Sequence, residues 1–320
     1  MDLTILLDNL TNPALLFFVL GIVAVRLKSD LAIPKNSSKF ISIYLLFSIG
    51  FKGGQELAHS PNDVNIVIAI VFGVALAAII PIYVFFLIKK RLGVENAGAI
   101  AAAYGSISAV TFVTAVTFLE TLNLHFNGYM VAVMAFMEAP AIVVGVFLMK
   151  RFSSDKQLGM NMKEVLGHAL TNGSVLLIFG SLLIGFLAND AQAEGIKPFT
   201  TDIFKGFLAV FLLDMGIVSG KKLGAFLSSG KFTTTLAIVL PLINGSLVAF
   251  LTHFFIPEIG DRFMFAILAA SASYIAVPAA MRLAAPNANP GIYLPMALAI
   301  TFPLNITIGF PVYLYIIGFF

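Results

Sequence analysis

The sequence predicts an all-α polytopic membrane protein: ten transmembrane helices arranged as two inverted five-helix repeats. Three observations predict it. The composition is too apolar for a water-covered fold. The apolar runs are helix-length and are separated by loops of alternating charge. The second half repeats motifs of the first.

Of 320 residues, 59% are hydrophobic and only 11% are charged, against roughly 25% charged in soluble domains. So few charges cannot cover a globular surface, so lipid is the expected solvent. In lipid every backbone polar group must be satisfied internally, by helices or a closed barrel. The apolar runs here are about twenty residues long and lack the alternation of barrel strands. Cysteine is absent, which excludes disulfides and thiol-based metal sites or catalysis. The net charge is +3, and no basic stripe interleaved with aromatics appears, so nucleic acid is not an expected partner.

The expected spans are Pro13–Leu27, Lys39–Phe51, Val64–Ile88, Gly98–Leu119, Gly128–Met149, Thr171–Ala188, Ile203–Ser219, Phe232–Phe255, Phe263–Leu283 and Gly291–Gly318. The second is short and is expected to begin near Leu31, with Lys35 and Lys39 snorkelling. Asp2 and Asp8 stand where a secretory signal carries positive charge, so Pro13–Leu27 reads as a retained span. Basic residues follow every odd span: Arg26, Lys28, Lys35 and Lys39; Lys89, Lys90 and Arg91; Lys150, Arg151, Lys156 and Lys163; Lys221, Lys222 and Lys231; and Arg282. The alternate loops carry Glu120, Asp190, Glu194, Asp202, Glu258 and Asp261. The positive-inside rule makes the basic loops cytoplasmic and both termini extracytoplasmic, in an inner (plasma) membrane.

Gly50, Gly54 and Leu57 in span two align with Gly216, Gly220 and Leu223 in span seven. Ser106-Ile-Ser-Ala-Val in span four matches Ser273-Tyr-Ile-Ala-Val in span nine, and Gly128 and Pro140 match Gly291 and Pro303. An odd number of spans per half makes the repeat inverted, as in many secondary transporters. The expected organisation is a first repeat over residues 1–149, a cytoplasmic linker over 150–169 and a second repeat over 170–320.

Spans four and nine combine small residues, hydroxyls and, in span nine, Pro278 near mid-span. The pattern predicts broken helices, whose freed backbone groups are tolerated where they line a cavity. Half-helix N-termini suit an anion; freed carbonyls and hydroxyls suit sodium. Glu138, inside Phe136-Met-Glu-Ala-Pro140, is an acid within span five, where a charge is costly and usually functional. Three roles are open to it: binding a cation, accepting a proton, or capping a helix broken at Pro140. Thr301 is its repeat partner, and Asn305 is also intramembrane. For Asp214 a structural hydrogen bond and a gating role stay open. Asn244 and Ser246 read as packing residues. The histidines, His59, His125, His168 and His253, are scattered and suggest no metal site. No motif of an enzyme or a primary pump is present.

Gly105-Ser-Ile-Ser-Ala-Val-Thr, Leu119-Glu120, Phe136-Met-Glu-Ala-Pro140, Ala269-Ala-Ser-Ala-Ser and Arg282-Leu-Ala-Ala-Pro-Asn-Ala-Asn-Pro290 resemble the sodium-dependent bicarbonate transporter family first known from cyanobacteria. The resemblance covers almost the whole chain. It implies a sodium-coupled bicarbonate symporter and a homotrimer. A mobile core of spans three to five and eight to ten would work against a gate of the other four, with the anion held by spans four and nine and sodium nearby. The candidate anion-binding residues are then Gly105, Ser106, Ser108, Ser271, Ala272 and Ser273. The candidate cation-binding residues are Thr111, Glu138, Thr301 and Asn305, with sodium as coupling ion and no other cofactor. The chain departs from the family pattern at Ala109, Val110, Tyr274, Ala276 and Val277, which leaves another small anion or altered coupling open. The short linker, Lys150 to Gly167, argues against the PII-like regulator of cyanobacterial members. A proton-coupled carrier using Glu138 and a non-transporting scaffold are the rival readings.

Overall fold

The computed structural model describes residues 11–59, 64–153, 162–227 and 230–320. Asp2, Asp8, Lys156 and residues 154–161 of the expected linker lie outside them, as does the side chain of His168. Among the described residues the fold is helical and contains no strand.

The helices, in order, are α1 (Pro13–Arg26), α2 (Lys35–His59), α3 (Val64–Leu92), α4 (Val94–Gly105), α5 (Ala109–Thr121), α6 (Tyr129–Phe152), α7 (Met162–Leu170), α8 (Gly173–Leu187), α9 (Asp190–Lys197), α10 (Phe204–Leu227), α11 (Lys231–Leu251), α12 (Ile259–Ala270), α13 (Ala276–Ala284) and α14 (Pro290–Phe319). Among the described residues six stretches are long and apolar enough to cross a membrane: Val64–Leu92, Val94–Thr121, Tyr129–Phe152, Asp190–Gly224, Lys231–Phe254 and Pro290–Phe319. The shorter apolar helices α1 and α8, the polar-ended α2, and the pair α12 and α13 fall where the remaining spans are expected.

Local chemistry sets the boundaries. Asn12 accepts from Ala14 N at 2.9 Å and Pro13 opens α1, a position where the missing proline N–H is harmless. Two helices fall outside the expected spans. α7 is a short amphipathic segment, and α9 is a polar helix with a reciprocal Asn189–Gln192 capping box.

Pro140 corrects one expectation. α6 runs unbroken from Tyr129 to Phe152 with Pro140 inside it, so Glu138 caps no broken end. Neighbouring helices tolerate such prolines in the membrane; Pro81 and Pro241 likewise sit inside α3 and α11. In α14 the turn widens to π geometry at Met296–Thr301 and Asn305–Gly309, on either side of Pro303.

Among the closest packing pairs, α1 lies on α10 and α2 on α8; α3 packs on α4 and on α6, and α11 on α12. Glycines make the first two contacts possible. A methyl on Gly216 would strike the Phe18 carbonyl oxygen, and one on Gly54 the Leu182 carbonyl oxygen. Without a hydrophobic drive between helices in lipid, such close approach is how they hold together. Helices α1, α2, α8 and α10 thus form one packed group, beside a second built of α3 to α6 and α11 to α14.

Candidate functional site

Spans four and nine are both discontinuous. α4 ends at Gly105 and α5 begins at Ala109; α12 ends at Ala270 and α13 begins at Ala276. Small residues let α4 sink into the protein, where Ala97 to Gly105 are all buried, as are Gly260 to Ala270 of α12. Gly105 lies on Pro81, whose ring a Cβ would strike. Beyond each half-helix a serine takes extended backbone: Ser106 at φ −84°, ψ 176° and Ser271 at φ −80°, ψ 166°.

The two gaps meet. Ser108 N donates to Ser271 Oγ at 3.0 Å, and Ser273 N donates to the Ala103 carbonyl at 2.8 Å. Ser108 Oγ caps α5 by accepting from Thr111 N at 3.2 Å, and Ser273 Oγ accepts from Val277 N at 3.4 Å in the first turn of α13. Two half-helix N-termini, each carrying a partial positive charge, therefore open at one place.

A pocket lies there, between the two packed groups. Ser42, Leu45 and Leu46 of α2, Ser174 of α8 and Phe211 of α10 form one wall. Ser108, Val110, Val113, Glu138, Ser273 and Tyr274 form the other. Glu138 is 3% exposed and its Oε2 has no hydrogen-bond partner. The Tyr274 hydroxyl is also buried without a partner, beside Ser108.

The remaining expected residues surround this pocket. Gly105, Ser106, Ser271 and Ala272 belong to the crossing gaps but not to the pocket lining; Ser106 Oγ is buried and unpartnered. Of the candidate anion-binding serines, Ser108 and Ser273 line the pocket and Ser106 and Ser271 do not. Ser271 cannot face it because its Oγ is used across the gap, accepting from Ser108 N and donating to the Leu268 carbonyl. Thr111, Thr301 and Asn305 do not line the pocket either. Thr301 Oγ1 donates to the Ala237 carbonyl at 2.8 Å and so accepts from the Tyr104 hydroxyl at 2.7 Å. Asn305 Nδ2 holds the Ala270 carbonyl at the end of α12 at 2.8 Å, and its Oδ1 accepts from Tyr313 at 3.0 Å. Asp214 accepts from Ser38 of α2 at 2.5 Å, the structural bond held open for it, and Asn244 accepts from Tyr83.

A second pocket runs along the same pair of helices, past Ile49 and Val116, and is charged. Glu120 at the end of α5 lies 3.5 Å from Lys52 of α2 and 3.2 Å from Lys205 of α10, with Glu56 and His125 alongside. Close by, buried Asp261 accepts from Asn127 N at 2.7 Å, Asn127 Nδ2 at 2.6 Å and the Tyr129 hydroxyl. Burial pushes its carboxyl up, and those hydrogen bonds pull it back down. Among the described residues no three His, Asp or Glu side chains gather as a metal site. Sequence reasoning missed Tyr274 as a lining residue, and missed Ser42 and Ser174. A tyrosine amid Ala-Ser-Ala-Ser was the one available signal; the two serines sit in ordinary helical stretches.

Two crossed broken helices lie buried inside a many-helix apolar fold whose six membrane-length stretches are those of a multi-pass membrane protein. The family model of the Na+-dependent bicarbonate transporter superfamily matches residues 13–318, and the chain belongs to that superfamily, a family of transporters. No curated protein matches the chain.

Proposed function

We propose that this protein is a secondary active transporter that carries bicarbonate, or a similar small anion, together with sodium by alternating access. One observation carries the reading: the pocket at the crossing of the two broken helices joins two helix N-termini to a buried, unpartnered carboxylate at Glu138. The N-termini attract an anion; an acid kept at membrane depth is most simply explained by a cation that it binds. Gly105, Ser106, Ser108, Ser271, Ala272 and Ser273 would hold or shape the anion site. Glu138 would bind sodium at the pocket, with Thr111, Thr301 and Asn305 contributing as the site rearranges.

The pairing of α1 with α10 beside α2 with α8, and of α3 with α4 beside α11 with α12, supports two inverted five-span repeats, 1–149 and 170–320, joined by the linker 150–169. The two packed groups correspond to a gate of α1, α2, α8 and α10 and a core of the rest. Rocking one against the other would open the pocket to each side in turn. Loop charge puts both termini outside a bacterial-type inner membrane, so a cytoplasm-dependent reporter fused after Phe320 should stay silent. The family resemblance supports a homotrimer.

The test is uptake of labelled bicarbonate into proteoliposomes, with and without an inward sodium gradient. Sodium-driven accumulation is expected. A second reading is favoured by Glu138 alone. Its unpartnered oxygen also suits a proton relay, and uptake driven by a pH gradient with sodium absent would select that reading.

A further inference from the structure

We propose that Tyr274 is a specificity-determining residue of the pocket, its hydroxyl donating a hydrogen bond to the transported oxyanion; this rests on the transport reading above. Tyr274 stands in the gap between α12 and α13. Its ring is held edge-on against Phe302, with centroids 6.2 Å apart and planes at 66°. The packing fixes where the hydroxyl points. That hydroxyl lies in the wall of the pocket, is buried, and completes no hydrogen bond of good geometry, with the Ser108 side chain as its polar neighbour.

A buried hydroxyl left unbonded is costly, and most buried polar groups in folded proteins find a partner. The other unpartnered oxygen of the same pocket, on Glu138, is an acceptor when ionised and repels an anion. The two therefore suit ions of opposite charge. The anion belongs beside Tyr274 and Ser108, under the N-termini of α5 and α13, and the cation beside Glu138. A phenol offers one directed donor, which an oxyanion with fixed oxygen positions can meet and a spherical halide uses without orientation. The ligand class is thus a small oxyanion. Sites built to hydrogen-bond a ligand oxygen discriminate strongly against ligands that lack it.

Tyr274→Phe removes the hydroxyl and keeps the ring on Phe302. In proteoliposomes the variant should show a KM for bicarbonate raised about tenfold, with the sodium concentration for half-activation unchanged. In detergent, the full-length protein should be stabilised against heat by bicarbonate, nitrate or formate more than by chloride, and Tyr274→Phe should erase that preference. A KM within about twofold of the parent would overturn the proposal, as would an oxyanion preference that survives the substitution or is missing from the parent. If the parent binds oxyanions but transports no bicarbonate, the transport reading fails while the thermal arm still decides Tyr274. Should Tyr274→Phe melt early without ligand, the difference between the oxyanion and chloride shifts, read within each variant, still decides.

Discussion

α2 and α5 carry two pockets in succession, and the two are built on opposite principles. Around Leu46 and Val113 the wall is largely apolar; its serines Ser108 and Ser273 are bonded as caps, while Glu138 Oε2 and the Tyr274 hydroxyl make no hydrogen bond. Further along the same helices Glu120 stands between Lys52 and Lys205, so opposite charges neighbour one another there. Partly exposed charges with opposite neighbours are what solubility and packing require. Unsatisfied polar groups in the interior are what a ligand requires, because each is destabilising until something binds. On the transport reading proposed above, the contrast divides residues that serve architecture from residues that serve solute.

The largest expected effect tests the unsatisfied side. Glu138→Gln keeps volume and hydrogen-bonding capacity and removes the charge. Sodium affinity read from uptake should fall roughly 30-fold or more, since a direct charged contact is worth about 2–3 kcal/mol. Membrane insertion and oligomer size should stay normal, because a neutral side chain inserts at least as readily. Unchanged sodium activation would move Glu138 to the architectural side.

The next tests the satisfied side. Asp261→Ala strands the donors of Asn127 N, Asn127 Nδ2 and Tyr129. Thermal or denaturant unfolding in micelles should report a loss of about 3 kcal/mol, with Asp261→Asn losing less. If transport falls while stability holds, the cluster serves solute rather than the joint between α12 and the turn before α6.

How far the sequence showed this division depends on what each feature rests on. Helix breaks are local: Ser108 and Ser273 offer hydroxyl caps to the first turns of α5 and α13, and the small, hydroxyl-rich sequence predicts spans four and nine to be broken. Proline was the weaker guide. Pro278 lies inside α13, past the break, and Pro140 leaves α6 intact, because neighbouring helices decide whether a proline opens a helix. The placement of Thr301 and Asn305 was not legible, since their partners, Tyr104, Ala237 and Ala270, are distant in sequence. The pairing of Glu120 with two lysines was equally hidden, because it needs α2, α5 and α10 assembled.

Smaller still is the effect of Glu120→Gln. Both its ion pairs are partly exposed, and such pairs contribute about 0–1 kcal/mol each. The loss in unfolding free energy should stay within about 2 kcal/mol and shrink in high salt. A larger, salt-insensitive loss would show the charged pocket to be sealed from solvent, and would blur the contrast drawn between the two.

The smallest effect is at the exposed edge. His59 stands two turns beyond the apolar part of α2, its Nδ1 2.8 Å from the Gln55 carbonyl and its Nε2 3.1 Å from Asp190. The Gln55 carbonyl, first, and the Asp190 carboxylate, second, hold its pKa above the usual 6.5. Both favour the imidazolium, so the sign is that of a base whose native pKa is raised. Its contribution is fully present below about 6.5 and fades as pH rises through the raised native value. Because the ring is exposed, salt should weaken the Asp190 part. The histidine ring signals followed by NMR in nanodiscs give the midpoint directly. The parent should titrate above 6.5, and Asp190→Asn should lower the midpoint only part of the way, since the carbonyl is the larger cause. A midpoint that Asp190→Asn leaves untouched would mean that α9 does not lie against α2 in the membrane. A midpoint that falls below 6.5 would mean that the ring is buried there, and that the satisfied region extends further than the contrast allows.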